Sequence, residues 1–302
     1  AMDRSPLFLP IVALFGIVLV WGDVGSITTM SVGTRGTLLF AALMLPLFPL
    51  HGLYVAAITR LPRVWGLLLS VSMPIAGAYA LTAVVPNLPP TLLPGLAVLA
   101  LVGAIYATIK AMVQVRAAHL IAYAGVAYYS IVWWHLAIVE SLTREALVYV
   151  GAVVLVTGGI LWAWDRLRIR YGNLPMNKIG GLARPMPAFG LCLALLVMAS
   201  VGLPPFGLIF VYAGLLFDAS AMSSGGAIVL LAWFGASWYM FKLMQRLLFG
   251  PHRDDLRYDD LKPAEISVFV VILSLLILLS FAPAVWPNAD VAQVASRAVE
   301  IK

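Results

Sequence analysis

The sequence predicts an all-α polytopic membrane protein, and three observations support that prediction. Hydrophobic residues make up 63% of the 302 residues and charged residues only 11%, whereas a soluble globular domain carries about 25% charged residues. Apolar stretches recur along the chain, most of them close to or above the roughly 20 residues that a helix needs to cross a bilayer. Pairs of prolines interrupt two of these stretches, which is typical of discontinuous membrane helices.

Nine apolar spans are predicted, and short loops connect them. The spans are residues 6–22, 36–58, 64–84, 94–110, 119–138, 146–164, 188–217, 226–249 and 264–282. The longest internal loops, residues 165–187 and 250–263, are too short to hold a soluble redox or nucleotide-binding domain. We therefore expect a single transmembrane domain over residues 1–302, with about nine helices of which two are broken.

Lysine and arginine are distributed unevenly among the loops. If the loops are assigned alternately to the two sides of the membrane, 15 of the 19 Lys and Arg residues fall on one side. Cytoplasmic loops carry the excess of positive charge. The bias therefore places the N-terminus in the cytoplasm and the C-terminus outside, in the cytoplasmic (inner) membrane of a prokaryote. We interpret the net charge of +6 as a topology signal and expect no nucleic-acid partner.

The predicted helix breaks lie at Pro46 and Pro49 in the second span and at Pro204 and Pro205 in the seventh span, which is about 30 residues long. Each pair removes two backbone donors. A broken helix at membrane depth is tolerated only where protein or a water-filled cavity covers the freed backbone groups. Pro74 is expected to interrupt the third span. These breaks favour an ion-translocating protein over a simple membrane anchor.

Five short motifs resemble, in the same order, those of one family of membrane subunits. Residues 48–52 (FPLHG) resemble the proline–leucine–histidine signature in a broken helix of the antiporter-like subunits of respiratory complex I, and residues 118–126 (AHLIAYAGV) resemble a later segment of the same subunits. Residues 180–187 (GGLARPMP) and 202–207 (GLPPFG) resemble segments before and within the second broken helix, the latter in the form found in group 4 membrane-bound hydrogenases. Residues 248–250 (LFG) resemble the motif that closes the next helix.

The resemblance implies a membrane subunit of a complex I-like or hydrogenase-like complex that links redox chemistry to ion translocation. Its antiporter-like core would span about residues 36–250, and its partners would be other membrane subunits within the lipid bilayer. Family members usually have more helices, and the match begins part-way along them. The chain therefore resembles a shortened member or one part of a split subunit.

The resemblance also implies that several ionisable groups have been replaced. In the family, protons are thought to move along buried lysines, histidines and glutamates, which persist within a bilayer mainly where they function. Met44 and Ala118 stand where the family has lysines, and Tyr212 stands where it has a glutamate after the second break. The third span, residues 64–84, contains no lysine. We therefore expect a degenerate proton channel and a structural or coupling role.

Three ionisable residues remain as candidates for a proton path. His51 lies beside the first break, where its imidazole could relay a proton or act as a structural histidine. Lys110 could be a displaced proton-path lysine, or it could snorkel to the membrane interface. His119 could take part in the path, or it could set topology or contact a partner across the cytoplasmic turn.

The alternative function is an active proton-coupled transporter subunit partnered with a soluble enzyme, as in inorganic-carbon uptake systems whose membrane subunit resembles the same family. The soluble partner would be carbonic-anhydrase-like, or a redox protein if the first interpretation holds. An unrelated transporter with accidental motif matches is a third interpretation. No phosphate-binding loop, catalytic constellation or metal-ligand spacing occurs, and the lone Cys192 excludes an intrachain disulfide. We expect no catalytic residue, metal or cofactor in this chain.

Overall fold

The computed structural model describes residues 30–172, 176–217, 225–250 and 259–281, and the regular secondary structure within these ranges is entirely helical. The predicted first span, residues 6–22, lies outside them. The ten α-helices in the described ranges are α1 Val32–Met44, α2 Gly52–Arg60, α3 Arg63–Val84, α4 Leu93–Val113, α5 Ala117–Val139, α6 Arg144–Tyr171, α7 Pro187–Val201, α8 Leu208–Phe217, α9 Gly226–Leu248 and α10 Pro263–Leu278.

Six helical segments in the described part of the chain are long and apolar enough to cross a membrane. They are Val64–Asn87, Pro90–Val113, Ala117–Val139, Arg144–Tyr171, Gly226–Leu248 and Pro263–Phe281. They coincide with six of the predicted spans, the third to the sixth, the eighth and the ninth. These six segments confirm the prediction of an all-α polytopic membrane protein.

Helix α5 lies at the centre of the bundle. It packs against α2, α4 and α6, and 89% of its apolar membrane-spanning stretch is buried inside the protein, against 11% for that of α10. The large side chains of Tyr129, Trp133 and Trp134 on α5 are completely buried. Helix α10, in contrast, exposes most of its apolar surface and lies at the periphery.

The two proline pairs lie between short helices. Helix α1 ends at Met44 and α2 begins at Gly52, so that residues 45–51 form a non-helical segment, which we call the first break. Helix α7 ends at Val201 and α8 begins at Leu208, so that residues 202–207 form the second break. Two nearby prolines delete neighbouring hydrogen bonds of the helix, and a regular helix cannot continue through such a gap.

The expected interruption of the third span at Pro74 is wrong, because α3 is continuous through this residue. A single proline removes one hydrogen bond and causes a local clash. Ending the helix would instead expose several unsatisfied backbone groups at membrane depth. One lost hydrogen bond is the smaller cost, and the helix therefore continues.

Charged groups hold the start of α10 against α6. The Arg170 guanidinium donates to the Glu265 carboxylate at 2.6 Å, and Arg166 donates to the same carboxylate at 3.4 Å. Arg170 also donates to the backbone carbonyls of Asp259 and Asp260. These side chains are 12–17% exposed, so the pairs are partly shielded from water.

A carboxylate from the same segment caps helix α7. The two carboxylate oxygens of Asp260 accept hydrogen bonds from the backbone N–H groups of Ala188 at 2.9 Å and Phe189 at 3.1 Å. The first N–H groups of a helix have no partner within the helix, and Pro187 at the first position has no N–H. A residue distant in sequence therefore supplies the cap for the helix that leads to the second break.

We expect the substitution Asp260→Ala to lower the free energy of unfolding by about 1 kcal/mol, because it removes the cap of α7. The measurement is thermal unfolding of the purified full-length chain in detergent. Asp260→Asn is the matched control, since its single amide oxygen keeps one acceptor, and we expect it to lose less. Equal stability of the Ala variant and the wild type would contradict this account of the cap.

Candidate functional site at the two helix breaks

The first break is stabilised by an indole from the central helix. Trp133 on α5 donates its Nε1–H to the carbonyl of Leu45, the C-cap residue that directly follows α1, at 3.0 Å. Both side chains are fully buried. A carbonyl at a helix end has no intrahelical partner, and its desolvation is costly unless another donor is present. Trp133 therefore supplies the hydrogen bond that the break removes.

The second break has the same arrangement. Trp233 on α9 donates its Nε1–H to the carbonyl of Val201, the last residue of α7, at 2.8 Å. Gly202 follows with a φ of 79°, which glycine adopts without a steric penalty. Within the described residues, each break is thus flanked by a helix end whose carbonyl accepts a hydrogen bond from a tryptophan on a neighbouring helix.

The far end of α10 also contacts the second break. Ser280 donates its hydroxyl to the Pro205 carbonyl at 2.6 Å, and the Gly207 N–H donates to the Leu276 carbonyl at 3.0 Å. A Cβ on Gly207 would lie 2.6 Å from the backbone of Leu279, so only glycine permits this approach. Helix α10 is therefore attached at both ends, to α6 by charge and to the second break by hydrogen bonds.

His51 lies in an aromatic cluster at the end of the first break. Its side chain is 8% exposed and its ring stacks on Phe48, with a centroid separation of 5.7 Å. The rings of Tyr106 on α4 and Tyr123 on α5 lie 5.3 and 6.2 Å from it. Among the described residues, His51 Nδ1 has no hydrogen-bond partner although it is buried.

Lys110 belongs to the same cluster. It lies in the last turn of α4, its Nζ is 5.7 Å from the centroid of the Tyr106 ring, and it interacts electrostatically with His51. A lysine ammonium at this distance from an aromatic face makes a cation–π interaction. The structure therefore brings together two of the three proton-path candidates, with Tyr106 beside both.

His119 has a different environment. It lies in the first turn of α5, and its electrostatic neighbours are Arg116 and the exposed Arg60. This position is consistent with a role in topology or partner contact. The cluster of His51 and Lys110 with Tyr106 and Tyr123 is the arrangement that could exchange protons, because it combines an imidazole, an ammonium and two phenols.

The three positions at which we expected altered residues, Met44, Ala118 and Tyr212, lie at the breaks or at a helix start. Met44 is the last residue of α1 and packs partly buried against the core. Tyr212, on α8 after the second break, is 4% exposed and donates its hydroxyl to the carbonyl of Val229 on α9 at 3.0 Å. Ala118 lies in the first turn of α5. In the described ranges, no three His, Cys, Asp or Glu side chains come together as a metal site.

Sequence reasoning missed four residues of this site. Tyr106 and Tyr123 surround His51, and Trp133 and Trp233 donate to the ends of α1 and α7. Aromatic residues within apolar spans are ordinary packing or interfacial residues, and no spacing along the chain distinguishes these four. Only the packing of α4, α5 and α9 against the breaks identifies them.

Comparison with protein families gives one match that covers most of the chain. A family model described as NADH:quinone oxidoreductase/Mrp antiporter, TM, matches residues 10–237. Among curated proteins, subunit M of the F(420)H(2) dehydrogenase of Methanosarcina mazei is 27% identical over a 248-residue alignment that covers 78% of this chain and 48% of that protein. The chain spans about half the length of the curated relatives it matches.

Two solved structures share the fold. A chain of respiratory complex I from Thermus thermophilus with bound NADH matches with a TM-score of 0.74 and 23% identity, over 83% of this chain and 55% of that chain. A chain of the Mrp complex from Dietzia sp. matches with a TM-score of 0.74 and 14% identity, over 90% of this chain and 62% of that chain. At these identities the comparison establishes similarity of fold.

We expect Trp133→Phe to lower the free energy of unfolding by about 1–3 kcal/mol, because it leaves the buried Leu45 carbonyl without a donor. Trp238→Phe is the matched control, since Trp238 is 67% exposed on α9. Thermal unfolding of the two variants side by side measures the difference. If the Trp133 variant were no less stable than the Trp238 variant, the indole would not support the break.

Proposed function

The chain belongs to the NADH:quinone oxidoreductase/Mrp antiporter transmembrane family, and we propose that it is a membrane subunit of a multisubunit complex of the complex I, Mrp or hydrogenase type. In this proposal its own proton path is degenerate, and its role is structural or couples neighbouring subunits. The observation that carries the proposal is the combination of two intact helix breaks with neutral side chains at positions where the family resemblance leads us to expect ionisable ones.

Tyr212 is the residue that supports a degenerate path most directly. Its hydroxyl is held in a 3.0 Å hydrogen bond to the Val229 carbonyl, and a phenol stays protonated at neutral pH. A cavity of about 330 Å³ beside it is lined by apolar groups that include Leu203, Leu216 and Phe234. Such a lining does not solvate an ion. A carboxylate at this position would be strongly disfavoured.

The proposal also specifies the number of membrane spans and the extent of the core. We propose nine membrane spans, with spans two and seven formed by the helix pairs α1–α2 and α7–α8, a single transmembrane domain and an antiporter-like core over residues 36–250. The bias of 15 of the 19 Lys and Arg residues toward one side supports a cytoplasmic N-terminus and an external C-terminus. The partners we propose are other membrane subunits in a prokaryotic inner membrane.

One observation favours the alternative, an active proton-coupled subunit partnered with a soluble, carbonic-anhydrase-like enzyme. His51 and Lys110 lie together beside the first break, with Tyr106 next to both. An imidazole close to an ammonium and a phenol can accept and release a proton. In this alternative the path starts at the cluster and does not need the groups replaced by Met44 and Tyr212.

A measurement of proton flux distinguishes the proposed function from the alternative. We expect the purified full-length chain in liposomes, under an imposed pH gradient, to conduct no more protons than protein-free liposomes, because the breaks lack a continuous series of ionisable groups. Flux above that level that is abolished by Lys110→Met, and retained in the Lys178→Met control, would favour the alternative. The exposed Lys178 serves as the control because it lies in the loop before α7.

Association with partners tests the proposal itself. Mild-detergent purification of the chain from its native membranes, followed by mass spectrometry, is expected to recover other membrane subunits and redox or hydrogenase-like subunits. Recovery of a carbonic-anhydrase-like protein would favour the alternative. Recovery of the chain without partners, under conditions that keep a known membrane complex of the same cells intact, would contradict both.

A further inference from the structure

An apolar groove lies between α4 and α9 on the surface of the bundle. The two helices pack against each other, and Gly235 lies so close to Thr108 that a Cβ on the glycine would overlap the threonine side chain. The groove has a volume of about 500 Å³, within the range of ligand sites. Its lining consists of Val98, Leu101, Val102, Ile105, Tyr106 and Ile228. The proposed function does not use this groove.

Exposed apolar side chains continue the groove along one face of α4. We call them the α4 stripe; they are 41–66% exposed and comprise Val98, Val102, Ile109 and Val113. Lys110 follows Val98 by 12 positions, which corresponds to about 18 Å of helix. One leaflet of the hydrocarbon core is about 15 Å thick. From Val98 to Lys110 the stripe therefore has about the length of one lipid acyl chain.

Two ammonium groups flank the end of the α4 stripe. Lys110 lies 5.7 Å from the ring centroid of Tyr106, which is itself part of the wall of the groove. From the other side, Lys242 on α9 donates its Nζ–H to the carbonyl of Met112 at 3.0 Å. An ammonium group has three donors. Lys242 therefore retains donors for a further acceptor at the end of the groove.

No carboxylate of a described residue forms an ion pair with either lysine. The sequence accounts for this, because residues 24–139 contain no Asp or Glu, and residues 226–248 of α9 contain none either. The proposed topology places the ends of α4 and α9 on the cytoplasmic side of the membrane. The charges of Lys110 and Lys242 therefore complement an anion that comes from outside the described part of the chain.

We propose that the groove binds an anionic glycerophospholipid of the cytoplasmic leaflet. One acyl chain lies along the α4 stripe, and the phosphate lies between Lys110 and Lys242. An apolar track of one leaflet's length with cations at its cytoplasmic end matches the two parts of such a lipid, whereas free phosphate gains nothing from the apolar lining. Anionic lipids of the cytoplasmic leaflet attract basic residues at the membrane surface.

The bound phosphate also lies next to the candidate proton site. The charge of Lys110 acts on the buried His51, and Tyr106 contacts both residues. Lys242 has no part in that cluster. A substitution of Lys242 therefore tests lipid binding without changing the pair of His51 and Lys110.

Native mass spectrometry of the purified full-length chain tests the headgroup. The chain is supplied with phosphatidylglycerol or with phosphatidylcholine of the same acyl chains, and we expect it to retain phosphatidylglycerol at lower lipid concentration. Lys110→Met and Lys242→Met should each weaken this retention about fivefold, the factor that one lysine contributes near an anionic headgroup. Lys178→Met, in the loop before α7, is the matched control and should bind like the wild type.

Two results would overturn the proposal at this stage. One is equal retention of the two lipids by the wild type, which would show that the net charge of the headgroup is not recognised. The other is retention of phosphatidylglycerol by both lysine variants at the level of the Lys178 variant. That result would remove the two ammonium groups from the site.

A substitution that fills the groove tests the acyl chain. Val102→Trp keeps both lysines and places an indole in the groove, so it should reduce retention of phosphatidylglycerol at least fivefold. Val271→Trp adds the same side chain at a position of α10 that is 56% exposed, and it should bind like the wild type. Unchanged retention by the Val102 variant would show that the lysines attract headgroups without the groove, and it would overturn the proposal.

Purification from native membranes distinguishes the lipid from a helix of a partner subunit. Loss of phosphatidylglycerol from the Val102→Trp variant, with its co-purifying subunits unchanged, supports the lipid site. Loss of a co-purifying membrane subunit, with the lipid retained, would show that the groove binds protein and would overturn the proposal. A wild-type chain without partners contradicts the proposed function alone, because the lipid measurements use the purified chain.

Discussion

The structure depends on one constraint, which is that backbone groups freed at a helix end inside an apolar environment must find another partner. In the described part of the chain, each break leaves one backbone carbonyl at the C-terminal end of the preceding helix without a partner in that helix, and both carbonyls are satisfied in the same way. Trp133 reaches the end of α1 and Trp233 reaches the end of α7. Each indole must come from a neighbouring helix, so the breaks determine how closely α5 and α9 pack against them.

The cost of burying groups without partners also explains where the charged side chains lie. The ion pairs of Arg170 and Glu265 lie where α6 ends and α10 begins, while the interior between the breaks carries phenols and hydroxyls. A neutral polar group costs much less to bury than a charge. Met44 beside the first break and Tyr212 after the second are neutral, so the chain buries no charge at these two positions. The exception is Lys110, whose charge acts on the buried His51, and this pair is the basis of the alternative function with an active proton path.

Much of the fold could be predicted from the sequence because membrane helices are encoded locally. A run of apolar residues of sufficient length specifies a span, and six of the predicted spans coincide with single helices of the structure. The expectation failed at Pro74, where the same local signal as at Pro46 had a different outcome. One proline leaves a helix that is still the best way to satisfy its backbone, whereas two nearby prolines do not. The outcome depends on whether lost hydrogen bonds or an ended helix costs more free energy. A rule that treats every proline as a helix break ignores the number of prolines and therefore fails.

The sequence by itself determined the class of the protein, the existence of the breaks and the motifs around His51, and it led to the expectation that Met44 and Tyr212 stand where the family has ionisable residues. These properties depend on composition, on neighbours along the chain and on short motifs. Only the tertiary structure decided which groups satisfy the breaks, that Lys110 lies near His51, and that the stripe of α4 ends between lysines of two helices. The physical reason is that hydrogen bonds and ring contacts act over a few ångströms. Residues such as Trp133 and Leu45, 88 positions apart, become neighbours only when the helices pack.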